Sequence, residues 1–161
     1  MSYGSAYHYI GSKKDVLYLI VNFAITSGVQ RVESIRERIS GLNPEESLRE
    51  AIKAYLEHVE DLQDMFNVIN HAMVNLSGAE RIMVFEAEDR VMAFFEEVIR
   101  SGIETGVFVT SDSFMAASSI VILAQAWAHR RWFLRKRYSL AEYADELAKL
   151  MLGRLAVDEG P

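Results

Sequence analysis

The sequence predicts an all-α protein, and three observations carry that prediction. Apolar residues recur three and four positions apart through most of the chain, the period of a helix face rather than of a strand. Only two prolines occur, Pro44 and the terminal Pro161, so little interrupts long helices. The breaks that do occur carry helix-start residues: Asn43-Pro44, Ser111-Asp112-Ser113, and the Ser139/Glu142 spacing of a capping box.

The bulk properties bound the function. A chain of 161 residues is expected to fold as one domain with a sizeable core. Half the residues are apolar and a quarter are charged, the balance of an ordinary globular protein. There is no cysteine, which excludes disulfides, thiolate metal sites and cysteine nucleophiles. Seventeen Lys+Arg against 23 Asp+Glu give a net charge of −6. That argues against nonspecific nucleic-acid binding by the body of the protein, while leaving room for a small basic head. The first residues lack the basic–apolar–small layout of a secretory signal, so a cytoplasmic protein is expected.

Taken in order, Tyr3 to Leu17 reads as a short helix, a break at Gly11-Ser12, and the start of a long helix that Ser12 can cap. Lys13 and Lys14 then oppose the helix dipole. Either this is a plain solvated helix start, or an anion such as phosphate sits on it. The long helix runs from Lys13 to about Ile39, with Ile25, Val29, Val32, Ile35 and Ile39 on one face and Arg31, Glu33, Arg36, Glu37 and Arg38 toward solvent. Gly28 weakens it by roughly 1 kcal/mol relative to Ala, and marks either a close helix crossing or a bend.

Asn43 caps the next helix, Pro44 takes its first position, and Glu45 and Glu46 complement its dipole. Leu48, Ile52, Tyr55, Leu56, Val59 and Leu62 form its apolar stripe. The helical pattern continues to Leu76, with Asp61 to Asp64 polar enough for a break. Met65 to Leu76 carries Asn67, Asn70, His71 and Asn75 among apolar residues. Unpaired buried amides are costly, so these either face solvent or line a cavity whose ligand supplies their partners.

Ser77-Gly78-Ala79 reads as a loop and Glu80 to Thr105 as a second long helix, stopped by Gly106. Its apolar residues cover a wide arc, so it should contact two neighbours. Ser111 to Ser113 cap a helix that has no charged residue from Ser113 to Ala128. That helix is too short and too rich in Ser and Gln to span a membrane, which takes about 20 apolar residues. It is expected to be buried on several sides, against the core or a partner subunit. Arg130, Arg131, Arg135, Lys136 and Arg137 follow; two or three of them complement the helix dipole, and the surplus is expected to bind an anionic ligand, to pair with acidic residues of another subunit, or simply to lie on the surface. From Ser139 a last helix buries Leu140, Tyr143, Ala144, Leu147 and Leu150, pairs Asp145 with Lys149, and ends at Gly153.

Catalytic signatures are missing. The residues three before His58, His71 and His129 are Tyr55, Val68 and Ala126, so the Glu-x-x-His spacing of di-iron bundles fails. No His-x-x-x-His, G-x-S-x-G or phosphate-binding glycine loop occurs, and the carboxylates follow solvent faces. Neither enzyme activity nor a cofactor or metal is expected.

Gly4, Ser5, Tyr7, Tyr9, Ser12, Lys13 and Leu17 resemble the end of the DNA-binding motif of TetR/AcrR-type repressors, with Ile10 in place of the usual Phe and Lys14 in place of the common Glu. The helix layout and the Trp127–Glu142 stretch are also similar to the lipid- and steroid-catabolism regulators of that family. The resemblance implies a TetR-like helical ligand-binding and dimerisation domain, residues 13–161, preceded by a helix-turn-helix remnant, residues 1–12. In the family roughly 40 further residues precede this point and form the first two helices of a three-helix head. The expectation is therefore an N-terminally shortened repressor or a mis-set start codon. It further implies a homodimer, operator DNA as partner of the full-length form, and release by a small apolar effector, an acyl-CoA thioester being the one the subgroup suggests. By the same resemblance, Ser2, Tyr3, Ser5, Tyr7, His8 and Lys13 contact DNA. Tyr55, Phe66, Asn70, His71, Met73, Met92, Phe95 and Gln125 are the candidate ligand residues. Ile120, Leu123, Trp127, Tyr143, Leu147 and Leu150 are the candidate dimer interface, on the two helices that match the family's dimerising pair. The rival reading is a ligand-binding and dimerisation module that binds no DNA itself.

Overall fold

The computed structural model describes residues 13–156. Over that span the chain is all-α: α1 (Lys13–Ile39), α2 (Pro44–Asp61), α3 (Gln63–Ala72), a 3-10 turn (Met73–Asn75), α4 (Gly78–Glu104), α5 (Ser113–His129), α6 (Arg131–Leu134) and α7 (Leu140–Leu155). The helix starts follow from their caps. Asn43 Oδ1 accepts from Glu46 N at 2.9 Å with Pro44 just inside, and Asp112 Oδ1 accepts from Met115 N at 2.9 Å. Ser139 and Glu142 form a reciprocal capping box, Ser139 N donating to Glu142 Oε2 at 2.7 Å. That bond holds the Glu142 carboxyl below the usual carboxylate range.

α2 is the centre of the molecule. It packs against α1, α4, α5 and α7, and Leu48, Ile52, Leu56 and Val59 are fully buried along it. Each such side chain contributes about 1.5–3 kcal/mol through burial alone. α4 reaches α1, α2 and α5, which is why its apolar arc is wide; Phe94 and Phe95 meet edge to face at 5.2 Å beneath it. A smaller cluster of Val21, Leu76 and Val84 joins α1, the 3-10 turn and α4.

Several boundaries differ from the sequence reading. α4 begins at Gly78, not Glu80, because Ser77 and Glu80 make a second capping box. α7 continues through Gly153 to Leu155; an exposed glycine at a helix end is tolerated when Leu155 and Met151 beside it are buried. Lys149 pairs with Glu146 at 2.7 Å, rather than with Asp145. α4 does stop where expected, at Gly106 with φ +75°. Beyond it, Val107 N and Phe108 N both donate to Gly102 O, and Phe108 lies directly on Gly102. A Cβ at position 102 would sit 2.0 Å from that ring, so only glycine admits it. Val109 N then donates to Leu155 O at 2.9 Å, which ties this loop to the end of α7.

The basic run after α5 is not a continuation of that helix. The chain breaks at Arg130 and makes the short α6, which turns the cations back onto α2 and α3. Arg135 pairs with Glu60 and donates to Gln63 at 3.0 Å, while Arg131 reaches Asp64 at 3.3 Å. Trp127 Nε1 donates to the same Glu60 carboxylate at 2.7 Å, and the Arg135 guanidinium lies 5.5 Å from the Trp127 ring centre. Arg131 and Arg135 thus find acidic partners within the same chain, rather than in another subunit.

Candidate functional site

A cavity of about 300 Å³ lies inside the helical body, walled by α1, α2, α3, α4 and α5. α1 contributes Val21, Ile25, Gly28 and Val32; α2 contributes Tyr55 and His58; α3 contributes Phe66 and Ile69. α4 adds Val84, Glu88 and Val91, and α5 adds Gln125 alone. Helical spacing explains the set. Gly28 and Val32 are one turn apart on α1, and Tyr55 and His58 are neighbours on one face of α2. The walls are mostly apolar, with a few polar groups placed among them, the usual make-up of a small-molecule site.

Those polar groups are held by the core. Tyr55 is buried, its ring meets Phe95 edge to face at 5.6 Å, and its Oη accepts from Gln125 Nε2 at 3.4 Å. Burial pushes the Tyr55 hydroxyl up to about 12, so it remains a neutral donor. His58 is 3 % exposed and packs edge to face on Phe66, with ring centres 6.3 Å apart. Burial, reinforced by Arg31, lowers its pKa to about 4, so the imidazole is neutral near pH 7. Burial likewise raises the Glu88 carboxyl, and neighbouring Asp89 adds to the effect. At the rim between α1 and α4, Arg36 and Arg90 stand with Glu33 and Glu97, and Arg36 Nη1 bridges to Glu97 at 2.5 Å. The interior therefore carries no fixed positive charge, and the rim cations are matched by carboxylates.

The structure brings together three of the eight sequence-derived ligand candidates, Tyr55, Phe66 and Gln125, as cavity wall. Asn70 and His71 are exposed on the outer side of α3, and His71 Nδ1 lies 2.6 Å from Asn67 O. Met73 packs into the small cluster by Val21, Met92 takes a sulfur contact from Ser118 Oγ at 3.8 Å, and Phe95 is wholly core. The amides of α3 need no ligand: Asn67 Nδ2 donates to Ala128 O at 3.3 Å and its Oδ1 meets His129 Nδ1 at 3.0 Å. The sequence reading missed His58, Glu88 and Gly28. His58 was signalled by its place three residues after Tyr55 on a buried stripe, where an ionisable ring is out of keeping.

Of the interface candidates, Ile120, Trp127 and Leu147 are buried inside the subunit and cannot present their side chains to a partner. Tyr143 Oη donates to Leu123 O at 2.8 Å, binding α7 to α5, and both residues are half-buried. The large apolar side chains that α5 and α7 leave exposed are Phe114, Met115, Ile122 and Leu150, each 55–61 % accessible. α5 packs against α2, α3, α4, α6 and α7, as a helix expected to be buried on several sides should, and leaves one apolar face exposed. Ser2, Tyr3, Ser5, Tyr7 and His8 lie outside the described residues, and Lys13 is described only as the first residue of α1. No helix among the described residues is long and apolar enough to cross a membrane.

Three likenesses to known proteins bear on this arrangement. The HTH-type transcriptional regulator HbdR of Aromatoleum sp. (strain CIB) is 29 % identical over 147 residues, which is 91 % of this chain. The chain spans 63 % of that relative's length. The TetR family regulator PfmR from Thermus thermophilus superposes with a TM-score of 0.79 at 25 % identity, over 95 % of this chain and 82 % of its own. The regulator FadR from Bacillus subtilis, solved in complex with stearoyl-CoA, shares the fold with a TM-score of 0.70 at 16 % identity, over 94 % of this chain and 81 % of its own. Residues 41–155 match the tetracyclin repressor-like C-terminal domain, which is most of the chain, including every wall of the cavity except α1. The chain therefore belongs to the TetR family.

Proposed function

We propose that this chain is the sensing and dimerising part of a ligand-responsive transcriptional repressor of the cytoplasm, a binding protein and not an enzyme. The observation that carries the reading is the apolar cavity, because α1 forms one whole wall of it and begins immediately after the Tyr3–Ser12 stretch that resembles a DNA-reading motif. A ligand that moves α1 moves whatever α1 carries at its N-terminus. On this reading residues 1–12 belong to the DNA-binding head and residues 13–161 to the sensor. Ser2, Tyr3, Ser5, Tyr7, His8 and Lys13 contact operator DNA, and two heads read half-sites one helical turn, about 34–36 Å, apart or a multiple of it.

Two subunits join through α5 and α7. The uncharged α5 supports this, since its Met115 and Ile122 have no cover within the subunit and Leu150 of α7 is equally bare. The effector is small and mainly apolar. An acyl-CoA thioester is consistent with the stearoyl-CoA complex of the FadR relative. A 300 Å³ cavity would take the acyl group and leave the nucleotide outside, where the rim has no excess of positive charge. Burial of the acyl chain would then supply most of the affinity.

Selection from a pool of random DNA duplexes, with and without an added acyl-CoA series, tests the reading. Enrichment of a two-fold symmetric sequence that is lost on adding one acyl-CoA is the expected result. Acyl-CoA binding and dimerisation without any DNA enrichment would refute the repressor and leave the ligand-binding module. Absence of ligand binding would refute the sensor.

A further inference from the structure

Resting on the reading of the cavity as a ligand site, we propose that His58 sets its specificity. It selects compact apolar molecules that bear an uncharged hydrogen-bonding group, a hydroxyl or a carbonyl, and it meets that group through an imidazole nitrogen opposite Gly28.

Four observations lead there. His58 is 3 % exposed, yet among the described residues its ring makes only aromatic contacts, to Tyr55 and Phe66, and no hydrogen bond. No fully occluded side-chain nitrogen or oxygen lacks a partner among the described residues, so the unbonded imidazole nitrogens are ones that open onto the cavity. A buried polar atom left without a partner is costly, and a ligand that supplies one gains what the protein withholds. Second, the wall facing that ring is Gly28, where even an added Cβ would stand 3.9 Å from Nε2. The glycine keeps the nitrogen uncovered by side chain from α1.

Third, the charge pattern selects a neutral group. Burial favours the uncharged imidazole and raises the Glu88 carboxyl, while Arg31 beside His58 and Arg36 at the rim are already paired with Asp61 and Glu97, so a ligand carboxylate placed here would gain little from them. Tyr55 and Gln125 offer a second neutral polar point on the same wall, with the Tyr55 and His58 ring centres 6.4 Å apart. Fourth, the volume suits a compact ligand: 300 Å³ is at the small end of the range for small-molecule sites, roughly 300–1,000 Å³. A bicyclic aromatic or a medium acyl chain with its carbonyl fits that volume.

The test compares naphthalene with 2-naphthol, two probes of that size differing by one hydroxyl. Titration calorimetry on the intact protein should show 2-naphthol binding at least about tenfold tighter, since a site built to pair a hydroxyl discriminates strongly against its absence. His58→Phe, which keeps a planar ring and removes both nitrogens, should bring the two affinities together while naphthalene binding is preserved. In wild type, the His58 imidazole ¹⁵N resonances should shift with 2-naphthol and stay put with naphthalene, a readout that holds whether or not the variant folds. Equal wild-type affinities, or an unmoved imidazole, would overturn the role of His58 and leave the cavity as a ligand site. Failure of both probes to bind would remove the cavity reading and this inference with it.

Discussion

Substituting His58 by Phe should flatten the acid side of the stability curve. In the fold the His58 pKa falls from 6.5 to about 4, while in the unfolded chain it keeps its ordinary value. Between those two values the unfolded chain binds a proton that the folded one refuses, so stability rises with pH there. The stabilisation of the neutral ring is complete above pH 6.5 and is lost progressively as pH falls toward 4. At 1.36 kcal/mol per unit the full depth is about 3 kcal/mol, and about 2 kcal/mol of it falls between about pH 7 and 4.5. His129, whose pKa is also lowered, acts in the same direction, and Glu88, whose pKa is raised, acts in the opposite one. Both remain in the variant, so the difference between the two proteins isolates His58. Urea unfolding followed by tryptophan fluorescence at the two pH values measures it. Wild type should lose about 2 kcal/mol more than His58→Phe on acidification. Parallel losses in the two proteins would mean that the ring is not held neutral by its surroundings, and the electrostatic account of the cavity would be wrong.

Two glycines should respond oppositely to alanine. Gly28→Ala meets only ordinary contact at 3.9 Å and should raise stability by up to about 1 kcal/mol, whereas Gly102→Ala displaces the Phe108 ring and should lower it by about 1–2 kcal/mol net. Thermal denaturation compares the pair, and equal shifts would contradict the packing at Gly102. Glu60→Ala strips the partner of both Trp127 Nε1 and Arg135, at a cost of about 1–3 kcal/mol with a shift in tryptophan emission. A silent variant would place that cluster in solvent. Ile122→Arg together with Leu150→Arg should dissociate a dimer with little loss of fold, because both side chains are about 60 % exposed in the subunit. Sedimentation velocity reads the outcome, and an unchanged dimer would move the interface elsewhere.

What the sequence determined by itself is the local order of the chain. Apolar periodicity, the Asn43-Pro44 start, the Ser139/Glu142 box and the Gly106 stop are short-range features, and each is satisfied by residues within a turn of itself. The Ser77/Glu80 box is equally local and was legible, but the glycine beside it reads as loop. Tyr55, Phe66 and Gln125 were reachable as aromatic or amide residues on core-facing helix stripes. The rest needed the tertiary structure, because it depends on which faces meet across large sequence separations. Asn67 looks unsatisfied until Ala128 and His129 come alongside; Arg131 and Arg135 look surplus until α6 folds them back on Asp64 and Glu60. Trp127 and Leu147 look like interface until α2 covers them, and His58 becomes a site only when Gly28 on α1 leaves its nitrogen open. Periodicity states that a helix has a buried side. Which neighbour lies on that side, and where the two fail to fill the space between them, is fixed by the packing of all five walls at once.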